Sequence, residues 1–146
     1  VHAGLVTWFT HNGNLHCKLP SGRSLTYRNA KLRAVETLWG GEGYEITYMG
    51  SKEKGAKWVP ISTYGGKLVE NITQAIARDL LAESMLRLEA AGYDIVMHIH
   101  DEVVCEVPDN ANKSLGEYEL IMSQIPAWAE GMPISVEGWV GKRFKK

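Results

Sequence analysis

Residues 64–107 read YGGKLVENITQAIARDLLAESMLRLEAAGYDIVMHIHDEVVCEV, and the fold turns on this stretch. Between Gly66 and Gly92 it holds neither glycine nor proline, and it is rich in Ala, Leu, Glu and Arg, all good helix formers. A helix over 64–91 is predicted, about 40 Å long at 1.5 Å per residue, with Gly92 as its natural stop. At about 100° per residue, Leu68, Ile72, Ala75, Ile76 and Leu86 share one face. Lys67, Asn71, Gln74 and Arg78 line the opposite side over the first half, and Leu81 and Met85 continue that line as apolar positions. The first turns therefore present a polar stripe, whereas the later turns read as buried all round. Asp79 and Glu83 fall on the apolar side, where a charge is expected to be paired in a network or to lie beside a site.

After Gly92, the β-prone run 94–97 and the run 103–107, ended by Pro108, flank His98-Ile99-His100-Asp101-Glu102. Two such runs around an acidic dipeptide predict a tight hairpin with the acids at its tip. Charges embedded in apolar sequence are costly unless solvated, hydrogen-bonded or bound to cations. Oxygen-only ligands suit a hard ion such as Mg²⁺, which binds through one or two carboxylates plus phosphate and keeps several waters. Neighbours on an ideal strand face opposite ways, so one of the two acids would be a direct ligand unless the tip is distorted. An exposed turn with two solvated acids accounts for the dipeptide equally well. His98 and His100, two apart on one strand face, have a transition-metal spacing. Packed, hydrogen-bonded histidines fit that pattern too, and no third ligand stands at a fixed spacing. The stripe Lys67-Asn71-Gln74-Arg78 offers amides and cations suited to bases, sugars and phosphates, or it is a solvated helix face.

Working outward, Leu5–Phe9 and Leu15–Leu19 read as strands around a hairpin-type turn at His11-Asn12-Gly13-Asn14. Pro20-Ser21-Gly22-Arg23 is a second turn leading to the strand-like Ser24–Tyr27. A Gly-rich connection at 39–43 precedes strands at 44–49 and 57–61, with Gly50–Gly55 as the tip between them. Downstream, 112–124 is an amphipathic helix candidate, 126–129 a short helical turn, and 134–139 a closing strand before the basic tail 142–146. The expected fold class is α+β: a single domain over 1–146, with a small antiparallel sheet and a catalytic-type β-hairpin packed on one long helix.

Composition is that of a globular domain: 45% hydrophobic and 23% charged, which argues against disorder. No apolar run approaches the roughly 18 residues a membrane span needs. The start, Val1-His2-Ala3-Gly4, has neither an initiator Met nor the regions of a secretory signal, and reads as a cut end. The net charge of −1, from 16 basic and 17 acidic residues, is unlike the basic surplus of an autonomous duplex binder. Cys17 and Cys105 have no CxxC spacing and read as structural thiols in a reduced, intracellular protein.

Taken together these pieces resemble a known family. The run Thr63-Tyr64-Gly65-Gly66-Lys67 through Asn71, Gln74 and Arg78-Asp79, followed by His98-Ile99-His100-Asp101-Glu102-Val103-Val104, is similar to the end of the palm in family A DNA polymerases of the phage and prophage branch. Leu19-Pro20-Ser21-Gly22-Arg23, Pro126-Ala127-Trp128 and Glu137-Gly138-Trp139 are similar to that branch as well. The resemblance implies primer extension by two-metal nucleotidyl transfer with Mg²⁺ or Mn²⁺, acting on a DNA primer–template and a dNTP. It implies Asp101 as a catalytic metal ligand, Glu102 as a second acid shaping the metal and primer site, and His100 beside the primer terminus. Gln74 would touch the duplex minor groove, with Asn71, Arg78 and Lys67 as its neighbours in DNA binding. Residues 1–62 would form a fingers-to-palm connection, in a cytoplasmic protein of a bacterial or phage-infected cell.

The family's other metal-binding Asp, in a DYSxxE-like motif, has no counterpart in this sequence, and neither has the fingers helix or the thumb. One carboxylate cluster without its partner is not expected to hold two metals in working geometry, so the isolated chain is expected to be inactive. The missing regions would be supplied in cis or by a partner chain, as in a split polymerase. Self-association through an exposed apolar surface is then expected where the rest of the palm would sit. A small zinc hydrolase built on His98, His100 and Asp101 is the reading from a different class.

Overall fold

The computed structural model describes residues 2–3, 5–36, 40–51, 55 and 57–144. The described residues form an α+β fold, as expected: a six-stranded antiparallel sheet, a separate two-stranded hairpin, two α-helices and a short helical turn at Ala127–Ala129. By mutual contact the chain divides into two compact units, 1–75 and 76–146. The long helix α1 (Gly65–Ala90) contributes its first turns to one and its later turns to the other.

In the first unit, β1 (His2–Ala3), β2 (Val6–His11), β3 (Asn14–Lys18), β4 (Ser24–Glu36), β5 (Glu42–Gly50) and β6 (Val59–Thr63) follow one another as a meander. The β2–β3 turn is Asn12-Gly13, with φ of 48° and 73°. Positive φ at both central residues defines the type I′ turn, whose twist matches the strands it joins. The Leu19–Arg23 turn closes with Leu19 N–H to the Arg23 carbonyl at 2.8 Å. Cys17, Leu19 and Tyr27 are buried beside it. β4 runs nine residues past the predicted end at Tyr27, pairing with β5 across a register shift between Arg28 and Lys31. Of the predicted Gly-rich connection, Trp39 lies outside the described residues, and so do Lys52–Lys54 and Ala56 of the predicted tip.

The second unit is built around the later turns of α1. Leu81 and Leu88 cluster with Tyr93, Ile121 and Met122. Around them pack Ile95 of β7 (Asp94–Ile99) and Val103 and Cys105 of β8 (Glu102–Glu106). Gly92, at φ 78°, ends α1 as predicted. Tyr93 N–H bonds the Leu88 carbonyl and Gly92 N–H the Glu89 carbonyl, the paired bonds of a Schellman stop, with Tyr93 and Leu88 supplying its hydrophobic contact. The helix α2 (Leu115–Met122) starts later than predicted because the Ser114 hydroxyl accepts from Glu117 N–H and caps it there.

Three expectations are corrected. Leu86 is 66% exposed while Leu88 is fully buried: the hairpin and α2 cover the Leu81-Ser84-Leu88 side, so the later turns are not buried all round. The segment 134–139 makes no strand ladder; Val136 packs on the core cluster, and Gly138 N–H goes to the Glu119 carboxylate at 2.8 Å instead. His100 is a loop residue, not a strand residue, so it does not share a strand face with His98.

Candidate functional site

The hairpin forms where it was predicted, with Asp101 in its tip and Glu102 as the first residue of β8. Ile99 pairs with Glu102, leaving His100-Asp101 as a two-residue loop. His100 has φ 53°, the left-handed region that costs a residue with a Cβ roughly 1–2 kcal/mol. Primed two-residue turns require that sign of φ at the first central position and normally fill it with Gly, Asn or Asp. The strained residue thus stands next to the paired acids, a placement typical of working sites.

The stem of this hairpin carries a bulge at Val96: Ile95 pairs with Cys105, but Met97 pairs with Val104. One extra residue reverses side-chain parity. Ile95 faces the core with Cys105, and His98, opposite Val103, comes to that same side. There the Arg78 guanidinium meets His98 Nδ1 at 3.3 Å. Glu102, a ladder position away from Val103, takes the other face. His98, His100, Asp101 and Glu102 are all exposed.

Among the described residues no three His, Cys, Asp or Glu side chains gather to hold a metal. His98, His100 and Asp101 therefore do not form the three-ligand set a zinc site needs. Asp101 and Glu102, consecutive in sequence and both exposed, are the ligand type that Mg²⁺ takes, since it binds one or two protein carboxylates and completes its shell with water and phosphate.

Glu83, expected to be in a network, is in one. Its carboxylate accepts from Trp128 Nε1 and lies 3.7 Å from Arg87. Arg87 also donates to Ser84 Oγ at 3.0 Å and to the Gln124 carbonyl at 2.9 Å. Beneath the hairpin, Tyr118 donates to the Val103 carbonyl at 2.8 Å, and burial pushes its phenol up to about 12. Burial likewise raises the Cys105 thiol. Both cysteines are free thiols.

In the first unit the polar stripe begins as a groove wall. Leu25, Thr26, Tyr27, Tyr48, Asn71 and Gln74 line a shallow depression of about 330 Å³. The Asn71 amide donates to the buried Tyr27 hydroxyl at 3.2 Å, which fixes its orientation. Tyr27 meets Tyr48 edge-on at 5.1 Å. Gln74 is exposed beside them, and Arg23 ties the strand region to the helix through the Ala75 carbonyl at 3.0 Å. Lys67 is engaged with Glu70 at 2.8 Å, which raises its ammonium pKa. Amide donors held at the wall of a groove suit the acceptors that every base pair shows in a minor groove. Tyr27 and Tyr48 were not read from the sequence as site residues. Each reads as a strand residue, but the amide that meets Tyr27, that of Asn71, comes from a helix 44 residues on.

No protein-family model matches the chain, and no solved structure matches it. The chain is similar to a protein named DNA polymerase from Bacillus phage SP02, 47% identical over 141 residues. That match covers 97% of this chain and 21% of the phage protein, so the chain spans about a fifth of its relative's length. No helix among the described residues is long and apolar enough to cross a membrane.

Proposed function

We propose that the chain is the closing part of the palm of a family A, phage-type DNA polymerase, in which Asp101 and Glu102 supply one side of a two-metal site. The observation that carries this reading is the 47% identity, over 97% of this chain, to about a fifth of a named DNA polymerase. The strained loop that holds His100 and Asp101 at an exposed tip supports it. Mg²⁺ or Mn²⁺ would be held by Asp101, with Glu102 beside it, and would stabilise the attacking and leaving oxygens of nucleotidyl transfer. His100, fixed by the turn, would border the primer end. Gln74 and Asn71 would contact the minor groove of the primer–template, with Arg78 and Lys67 as further cationic contacts. The dNTP clamp and the second carboxylate would come from regions in cis or from a partner chain. An apolar surface for such a region to cover would include the exposed Leu86, Leu120 and Val140.

The test is a chimera in which these 146 residues replace the matching fifth of the SP02 protein. Primer extension with Mg²⁺ and dNTPs is expected, and Asp101→Asn in the chimera is expected to lower it by about 100-fold or more, since loss of an outer-sphere partner alone costs about 10–100-fold. A chimera that extends primers equally well with Asn at position 101 refutes the assignment. Primer extension by the 146-residue chain alone would overturn its expected inactivity.

A further inference from the structure

The six-stranded sheet carries a feature that neither the hairpin nor the groove uses. Asn29 has φ 48°, a left-handed conformation that Asn tolerates better than most residues. Its N–H is held by the Asn14 side-chain oxygen at 3.0 Å. This fixes a bulge in β4: Arg28 pairs with Met49, and the next partners are Lys31 with Thr47 and Arg33 with Glu45. Met49, Thr47 and Glu45 alternate regularly on β5, so Arg28, Lys31 and Arg33 stand in one row on one face. Without the extra residue, Arg28 would point the opposite way from Lys31 and Arg33. All three are exposed. Arg28 lies over the ring of Trp58, 5.4 Å from its centroid, and Trp58 is 55% exposed. Glu45 stands 3.8 Å from Arg33 at the end of the row, while Glu36 and Glu42 pair with each other on the opposite face.

We infer that the row Arg28, Lys31 and Arg33, with Trp58 at its end, is a track for a single strand of DNA. Successive cations are about 6.6 Å apart, two strand residues at about 3.3 Å each, a spacing that suits successive phosphates of an extended strand. An exposed indole beside the track gives a base a surface to stack on, and the pairing of a basic track with aromatic platforms is how single strands are held without sequence preference. A rigid duplex presents its phosphates on a helical path and leaves no free base for Trp58. Charge complementarity is local: a chain with net charge −1 places three cations on one sheet face by means of a bulge. The identity of the strand as DNA rests on the polymerase reading; the track itself rests on the sheet.

The test is fluorescence anisotropy of a labelled oligo(dT) strand with the 146-residue chain across a salt series. The chain is expected to bind. The triple variant Arg28→Ala, Lys31→Ala, Arg33→Ala is expected to bind about tenfold more weakly or worse, with its salt slope reduced by about 2, at about 0.7 per lost phosphate contact. Lys31→Ala and Arg33→Ala alone should each remove about 0.7 of slope, which keeps the test decisive if the triple variant folds poorly. Trp58→Ala should weaken binding about fivefold or more with the slope unchanged. A control removing the same charge elsewhere, Lys18→Ala, Lys142→Ala, Arg143→Ala, should leave most of the affinity. Absent binding, an unchanged slope in the row variants, an equal loss in the control, or displacement of oligo(dT) by equimolar duplex each overturns the inference. None of these results touches the Asp101 experiment, so the polymerase reading stands or falls separately.

Discussion

Replacing His100 with glycine isolates the strain at the hairpin tip. At φ 53°, a residue with a Cβ gives up about 1–2 kcal/mol relative to one without. Glycine returns that amount but adds freedom to the unfolded chain, which costs about 0.4–1 kcal/mol. The difference leaves His100→Gly more stable by about 0.8 kcal/mol, centred in a range of about 0–1.6 kcal/mol. With a urea m-value of about 1–3 kcal/mol/M, the midpoint should rise by about 0.3–0.8 M. Because the chain has two compact units, the probe should be amide exchange at Ile99, Glu102 and Val103, which reports the hairpin itself. In the SP02 chimera the same variant should lose primer extension while gaining stability, the trade-off expected where strain serves a site. A hairpin destabilised by more than about 0.5 kcal/mol would show that the imidazole makes contacts that outweigh the backbone strain, and the reasoning from φ would be wrong.

Two further predictions concern the second unit. Leu88→Ala should cost about 2–5 kcal/mol as a fully buried truncation, whereas Leu86→Ala, at a site 66% exposed, should stay within about 0.5 kcal/mol; comparable losses in urea melts would refute the observed helix face. Tyr118 has a folded pKa pushed up to about 12 against about 10 unfolded, so the neutral phenol's contribution is complete below pH 10. It is lost as pH rises from 10 to 12, and thermal melts should show Tyr118→Phe with a shallower decline across that window. Tyr93, raised by burial and by Glu117, should leave a residual slope in the variant.

What the sequence reveals about this chain divides along local and non-local lines. The limits of α1, its stop at Gly92, the Asn12-Gly13 turn and the acidic hairpin tip were all legible, because each is decided by a few adjacent residues: helix formers without a breaker, a glycine at φ 78°, an I′ dipeptide, two β-prone runs around a polar tip. The helix face was not. Its periodicity gave Leu86 as buried, but the burial of a helix is decided by what packs on it, and here β7, β8 and α2 choose the Leu81-Ser84-Leu88 side. The pairing of Glu83 was anticipated from the cost of an unpaired charge, whereas its partner Trp128 lies 45 residues away and carries no local signal.

The hairpin stem and the cation row each contain a single inserted residue, and this is where reading by alternation fails. At Val96 the bulge turns His98 toward the core side, where Arg78 reaches it, and leaves Glu102 on the other face. At Asn29 the bulge brings Arg28 into line with Lys31 and Arg33. In each case strict period-2 counting assigns a polar side chain to the wrong face, because the count assumes an unbroken ladder. Nothing in the residues 94–99 marks Val96 as the extra one; the register is fixed by pairing with β8. Asn29 does carry a trace, since Asn is among the few residues at ease in the left-handed region, and Asn14 waits across the sheet to bond its N–H. Removing the Asn14 side-chain carbonyl or the tolerance of Asn29 would shift the register of Arg28 before it changed any charge. The row of cations is therefore a property of the backbone path that Asn14 and Asn29 hold, and only secondarily of the residues that display it.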